Sequence, residues 1–158
     1  MIKRPGSQSS GSRRHSLGQA LVEFAIVAPV FFLVLFGIIE GGRFIYYYET
    51  LNSATRDAAR YAIVNGANSL GCTVGPPAPP STYSCDPTGL LVVDRVRDKA
   101  IGLDGASVNV TVTWHDPPNN GRGSTVTVTA TYTYSTLVPL VPLPPITVTT
   151  ESSLVVNN

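Results

Sequence analysis

The sequence predicts an α+β fold: a long N-terminal transmembrane helix continuing into a small head with a short helix and an antiparallel sheet of three or more strands. Three observations predict it. Ala20 to Ile39 is a run of 20 residues with one charge, Glu23, close to the roughly 20 residues that span a bilayer. Apolar and alanine positions then recur at three- and four-residue spacing to about Val64. From Val108 onward the period changes to two in three separate segments, which is the pattern of half-buried strands.

The ends of the chain differ in charge. Residues 1–18 carry Lys3, Arg4, Arg13 and Arg14 and no acid; the other 140 residues carry seven basic and ten acidic side chains. Positive charge ahead of an apolar helix holds the N-terminus in the cytoplasm and sends the rest outward. Four charges spread among Ser, Gly and Pro make a poor nucleic-acid patch, so no nucleic-acid partner is expected. A signal peptide would need a small-residue cleavage site after the apolar run. Gly37-Ile38-Ile39-Glu40-Gly41-Gly42 serves that need badly, and the helical pattern continues past it. The expected organisation is a basic cytoplasmic leader over 1–18, the transmembrane helix and its extramembrane continuation over 19–66, and an exported head over 67–158.

Two residues stand out inside the apolar run. Glu23 is an ionisable group at membrane depth, which is costly and by default marks function. Pro29 cannot donate to the carbonyl of Ala25 and is expected to loosen or kink the helix. Membrane helices also tolerate proline where neighbours satisfy the freed carbonyl, so a functional and a structural reading both stay open. Beyond the run, Tyr46, Tyr47 and Tyr48 sit where an aromatic belt belongs. The alanine ridge Ala54, Ala58, Ala62 would let another backbone come close. Asn65-Gly66 reads as a helix stop with the glycine in a left-handed position.

Residues 67–89 are rich in Gly, Pro and Ser and read as a surface loop. Cys72 and Cys85, the only cysteines, are expected to pair in an exported head. Metal or redox ligation would need more ligands or closer spacing. Asp86-Pro87 reads as an N-cap and first turn of a short helix with an apolar stripe of Val92, Val93, Val96, Ala100 and Ile101, ended by Gly102. Strands follow over 108–114, about 125–134 and from Ile146 towards Val156, the first two joined through Asn119–Gly123. They should form a meander with one apolar and one threonine face. The proline-rich connector Leu137–Pro145 is expected to be rigid and extended.

Nothing in the chain assembles a catalytic site. His15 lies in the leader, and His115 reads as a solvated turn histidine with no nucleophile fixed beside it. No phosphate loop or metal-ligand cluster can be pointed to, so no catalytic residue, metal or cofactor is expected.

The segment Gly18-Gln19-Ala20-Leu21-Val22-Glu23, with Pro29, the membrane-edge Glu40 and the run Ala54-Thr55-Arg56-Asp57-Ala58-Ala59-Arg60, resembles the TadE-like family of tight-adherence (Tad) pilus proteins. The resemblance covers roughly residues 17–64; Phe24 stands where major Tad pilins carry tyrosine. It implies a pilin-like pseudopilin or minor pilin in the bacterial cytoplasmic (inner) membrane, cut between Gly18 and Gln19 by a prepilin peptidase. It implies roles for Glu23 and Pro29 in assembly. The implied partners are other pilin or pseudopilin subunits, the Tad inner-membrane machinery and the lipid bilayer. The implied function is pilus assembly or adhesion, without enzymatic activity. The alternative is a membrane-tethered extracytoplasmic binding module that enters no filament.

Overall fold

The computed structural model describes residues 12–79, 83–115, 119–136 and 144–157. The first eleven residues of the leader, Asp116 and most of the Leu137–Pro145 connector lie outside the described residues. Along the chain come helix α1 (Ser12–Val64), helix α2 (Leu90–Lys99) and strands β1 (Val108–Trp114), β2 (Thr125–Tyr134) and β3 (Ile146–Val155). A single 3₁₀ turn, Gly105–Ser107, precedes β1 and is capped by Asp104, whose carboxylate accepts from Ala106 N and Ser107 Oγ. Those bonds hold the Asp104 carboxyl below the usual carboxylate range. The fold class expected from sequence is the one found. Two compact units are divided between Gly41 and Gly42, inside α1.

The first unit is the early part of α1. Helix starts at Ser12, upstream of Gly18, because no glycine or proline interrupts Ser12–Leu17. Pro29 lies within the helix without ending it. Its large apolar side chains point outward: Leu21, Phe24, Ile26 and Ile38 are 68–69% exposed. No residue in the window of membrane-spanning hydrophobicity is buried within the protein. A helix apolar all round and bare all round suits lipid.

The second unit is the head, in which the later turns of α1 pack on the sheet. Leu51, Ala54, Ala58, Ala59 and Ala62 are at most 1% exposed and share a core with Val92 and Val96 of α2 and with Val108, Val126 and Val128 of the sheet. Alanine is the residue that lets a helix approach a sheet closely, so the ridge expected from sequence has its partner inside the head. Each fully buried valine contributes about 1.5–3 kcal/mol of transfer free energy. One polar contact crosses the core: Thr55 Oγ1 lies 2.9 Å from Thr150 Oγ1 and donates to Leu51 O at 2.8 Å.

The sheet is the expected antiparallel meander, in order β1-β2-β3. Register pairs Val110 with Ala130 and Ala130 with Thr150 on the inner face, and Thr111 with Thr129 and Thr129 with Glu151 on the outer. The outer face is a threonine field, cross-linked by Thr127 Oγ1 donating to Ser153 Oγ at 3.0 Å.

Several local expectations change. Gly66 is not among the glycines of positive φ. Instead Asn65 closes α1, its backbone and side-chain N–H groups both donating to Tyr61 O at 3.1 and 2.9 Å. The 67–89 segment is no simple surface loop: Val74 is fully buried in the core and bridges to Asp86. Ile101 is 68% exposed because α2 stops at Lys99, leaving Val92 and Val96 as its buried positions and Ala100 buried just past its end. Tyr46 and Tyr47 are engaged by the head. Tyr46 OH donates to Ile101 O at 3.2 Å, and the Tyr47 ring meets Tyr132 and Tyr134 edge-on at 6.0 and 5.7 Å.

Candidate functional site

Gly18 and Gln19 sit on the exposed surface of α1, with open space where a Cβ on Gly18 would lie. Glu23 is one helical turn beyond Gln19, on the same face, since residues four apart on a helix are neighbours. It is exposed, and its carboxylate has no hydrogen bond or ion pair among the described residues. A bare carboxylate in lipid is strongly disfavoured, so a group at that depth calls for a cationic partner. Pro29 is also exposed; lacking an N–H, it leaves the carbonyl of Ala25 without its helical donor. The structure thus places Gly18, Gln19, Glu23 and Pro29 on one helix. It also places the Gly18–Gln19 peptide inside regular helix, so hydrolysis of that bond would require a turn to unwind. Glycine lowers that cost by about 0.5–1 kcal/mol relative to alanine.

The later turns of α1 carry a second set of polar groups. Asp57 accepts from Arg95 Nε at 2.8 Å, and the Arg95 guanidinium lies 5.2 Å from the Tyr61 ring centre. The hydrogen bond and the charge of Asp57 raise the Arg95 pKa. This pair ties α2 to α1. Glu49, Arg56 and Arg60 lie on the exposed side of the same helix. Arg43 stacks over Tyr47 and Tyr134, its Cζ 5.5 and 5.6 Å from the two ring centres.

In the head, Cys72 and Cys85 form the expected disulfide, with Cα atoms 5.4 Å apart. Next to it lies a site the sequence reading placed wrongly. Asp86 does cap α2, but from four residues ahead: Oδ1 accepts from Gly89 N and Leu90 N at 2.9 and 3.0 Å, and Oδ2 from Leu91 N at 2.7 Å. Gly89, φ 78°, occupies the N-cap position itself, so Pro87 falls in the preceding turn and not in the helix. The reason is Trp114. A Cβ on Gly89 would stand 2.6 Å from the indole and one on Gly75, φ 95°, would stand 2.5 Å from it. Two left-handed glycines clasp one tryptophan, and the helix can begin only after the second. Asn120 joins the same region: it accepts from Ala67 N through its carbonyl and from Ala78 N through its side chain, and its own N–H donates to Pro76 O. Trp114 Nε1 and Asn120 Nδ2 are buried without a hydrogen-bond partner among the described residues. The signal available beforehand was the single tryptophan and the two glycines flanking the cysteines.

His115 is exposed, its Nε2 3.0 Å from Thr127 Oγ1. No group of three or more metal-ligating side chains occurs among the described residues.

Fold and site together define an α+β protein with, among the described residues, one helix near the N-terminus long and apolar enough to cross a membrane. Residues 18–60 match the family model described as TadE-like protein, and over that stretch the chain is similar to that family. The match starts at Gly18, takes in Glu23 and Pro29, and stops at Arg60 within α1. No curated protein and no solved structure matches the chain.

Proposed function

We propose that this chain is a pseudopilin or minor pilin of a Tad-type pilus or secretion system. The observation that carries this reading is the coincidence of a family match beginning at Gly18 with a bare, apolar helix bearing one unpartnered carboxylate at Glu23. A prepilin peptidase cuts between Gly18 and Gln19, the basic leader staying in the cytoplasm and the head emerging on the far side of the inner membrane. The disulfide suits that oxidising side. Cleavage makes a new amino group on Gln19, at the depth where Glu23 needs a cation. When a neighbouring subunit supplies that amino group, each helix neutralises the next. Pro29 frees a carbonyl and softens the helix where it must adapt on leaving lipid. The protein acts in pilus assembly or adhesion, with the other pilin subunits and the Tad inner-membrane machinery as partners.

The test is the N-terminal residue of the protein recovered from membranes of cells that contain the processing peptidase. The mature chain should begin at Gln19, and Gly18→Leu should leave the full-length chain in the membrane. A wild-type chain still starting at Met1 or Ile2 would favour the second reading, a membrane-tethered binding module presenting its threonine face. That module needs neither cleavage nor Glu23.

A further inference from the structure

The exposed side of α1 in the head carries a charge pattern that its own chain leaves unanswered. Glu49, Arg56 and Arg60 fall within roughly 40° of one another around the helix, by 3.6 residues per turn. All three are exposed. None has a side-chain hydrogen bond or ion pair among the described residues. Asp57, the acid that could answer Arg60 from three residues back, is already held by Arg95. The same strip presents Ile45, 62% exposed, with Tyr48, 43% exposed, at its margin.

We propose that this strip is a staggered contact with a second copy of the chain, in which Glu49 of one copy meets Arg56 of the next. The proposal rests on the membrane-anchored pilus reading and names the partner of a surface that reading leaves open. Copies inserted in one membrane with one orientation present α1 in parallel, so antiparallel pairing of the strip is ruled out. In parallel register Glu49 would face Glu49, and Arg56 and Arg60 would face themselves, which is repulsive. A shift of seven residues is the smallest that keeps the same face and brings unlike charges level. It sets Glu49 beside Arg56, with Arg60 one turn further on, at an axial offset of about 10 Å. An offset contact uses different residues on its two sides. Repeated, it cannot close on itself and generates an open helical array. Charge complementarity of this kind fixes register and orientation more than it adds affinity, with Ile45 and Tyr48 supplying the apolar component.

The experiment uses full-length chains in membranes that also contain the assembly machinery. A Glu49→Cys chain and an Arg56→Cys chain are co-expressed, mildly oxidised, and their linked peptides read by mass spectrometry. The expected result is a disulfide joining the two different chains, with few links between identical positions. In parallel, Glu49→Arg and Arg56→Glu should each lower the sheared, assembled fraction about fivefold, the scale expected for turning an exposed attraction into a repulsion. The chain carrying both should return to near the wild-type level. Links between identical positions, absence of links, or a double variant no better than the singles would overturn the contact. If any of these occurs while the chain is still cut after Gly18, the staggered contact falls and the pilus reading stands.

Discussion

Replacing Asp86 by alanine removes four interactions at one stroke. Its carboxylate accepts from the N–H groups of Gly89, Leu90 and Leu91 and from Thr88 Oγ1, and the residue is 6% exposed. Loss of a cap costs about 1 kcal/mol. Gly89 N–H keeps its 3.3 Å bond to the Asp86 carbonyl, but the part-buried N–H groups of Leu90 and Leu91 lose their side-chain acceptor, which adds about 1–2 kcal/mol. The negative charge at the start of α2 contributes roughly 0.5 kcal/mol more through the helix dipole. The sum is about 2–4 kcal/mol, which for a domain of roughly 100 residues lowers Tm by about 10 °C or more. Asp86→Asn keeps one acceptor oxygen and should lose about half as much. Trp114, the single tryptophan, packs directly on Gly89, so its fluorescence during thermal unfolding of the full chain in detergent micelles reports this region. A melting point for Asp86→Ala within about 3 °C of wild type would refute the assignment of Asp86 as the cap that sets α2.

Three other outcomes are expected. Gly89→Ala forces a left-handed alanine and drives a Cβ to 2.6 Å from the Trp114 ring; strain and overpacking together should cost about 2–4 kcal/mol, read by the same fluorescence melt. Cys72→Ser should lower head stability by up to about 3 kcal/mol while leaving membrane insertion unchanged, as loop closure of this length predicts; peptides still linked at Cys85 in non-reducing mass spectrometry would contradict the pairing. Glu23→Gln should be inserted and cleaved normally yet be depleted from sheared surface material relative to membranes, and normal assembly would remove the proposed role of the carboxylate.

The parts of the fold legible in the sequence were those written by periodicity. Leu51, Ala54, Ala58 and Ala62 marked the buried side of α1, and all are at most 1% exposed. The Val-Thr alternation gave all three strands and their faces, because a pleated strand has one period and it fits nothing else. Helix and strand ends were harder. Asn65-Gly66 looked like a glycine stop, but the Asn65 amide reaches back to Tyr61 and does that work. Asp86-Pro87 looked like a helix start, yet the position is set by Trp114, which is 28 residues further on and invisible to local reasoning. The tyrosines after the apolar run illustrate the same limit: composition marks them as interfacial, while Tyr132 and Tyr134 claim Tyr47 for the head. Of the candidate site, Gly18 and Glu23 were legible because a lone acid in an apolar run has few innocent explanations. The charges of Glu49, Arg56 and Arg60 were in plain view, but only the pairing of Asp57 with Arg95 shows that they lack an answer within the described residues.

Asn120 bonds to Ala67, Pro76 and Ala78, three residues synthesised well before it. While the chain is being made, the Asn120 clamp is missing until the β1–β2 turn has emerged, and the segment between α1 and α2 has only its local bonds, among them Val74 N to Asn65 O and Gly75 N to Asp86 O. Cys72 and Cys85, 13 apart in sequence, can meet during that interval, because closing so short a loop requires nothing downstream. The two ties are independent: a disulfide inside the proline-rich segment, which needs nothing downstream, and an amide clamp brought by the β1–β2 turn. Reduction of the head should therefore remove the first and leave the second in place.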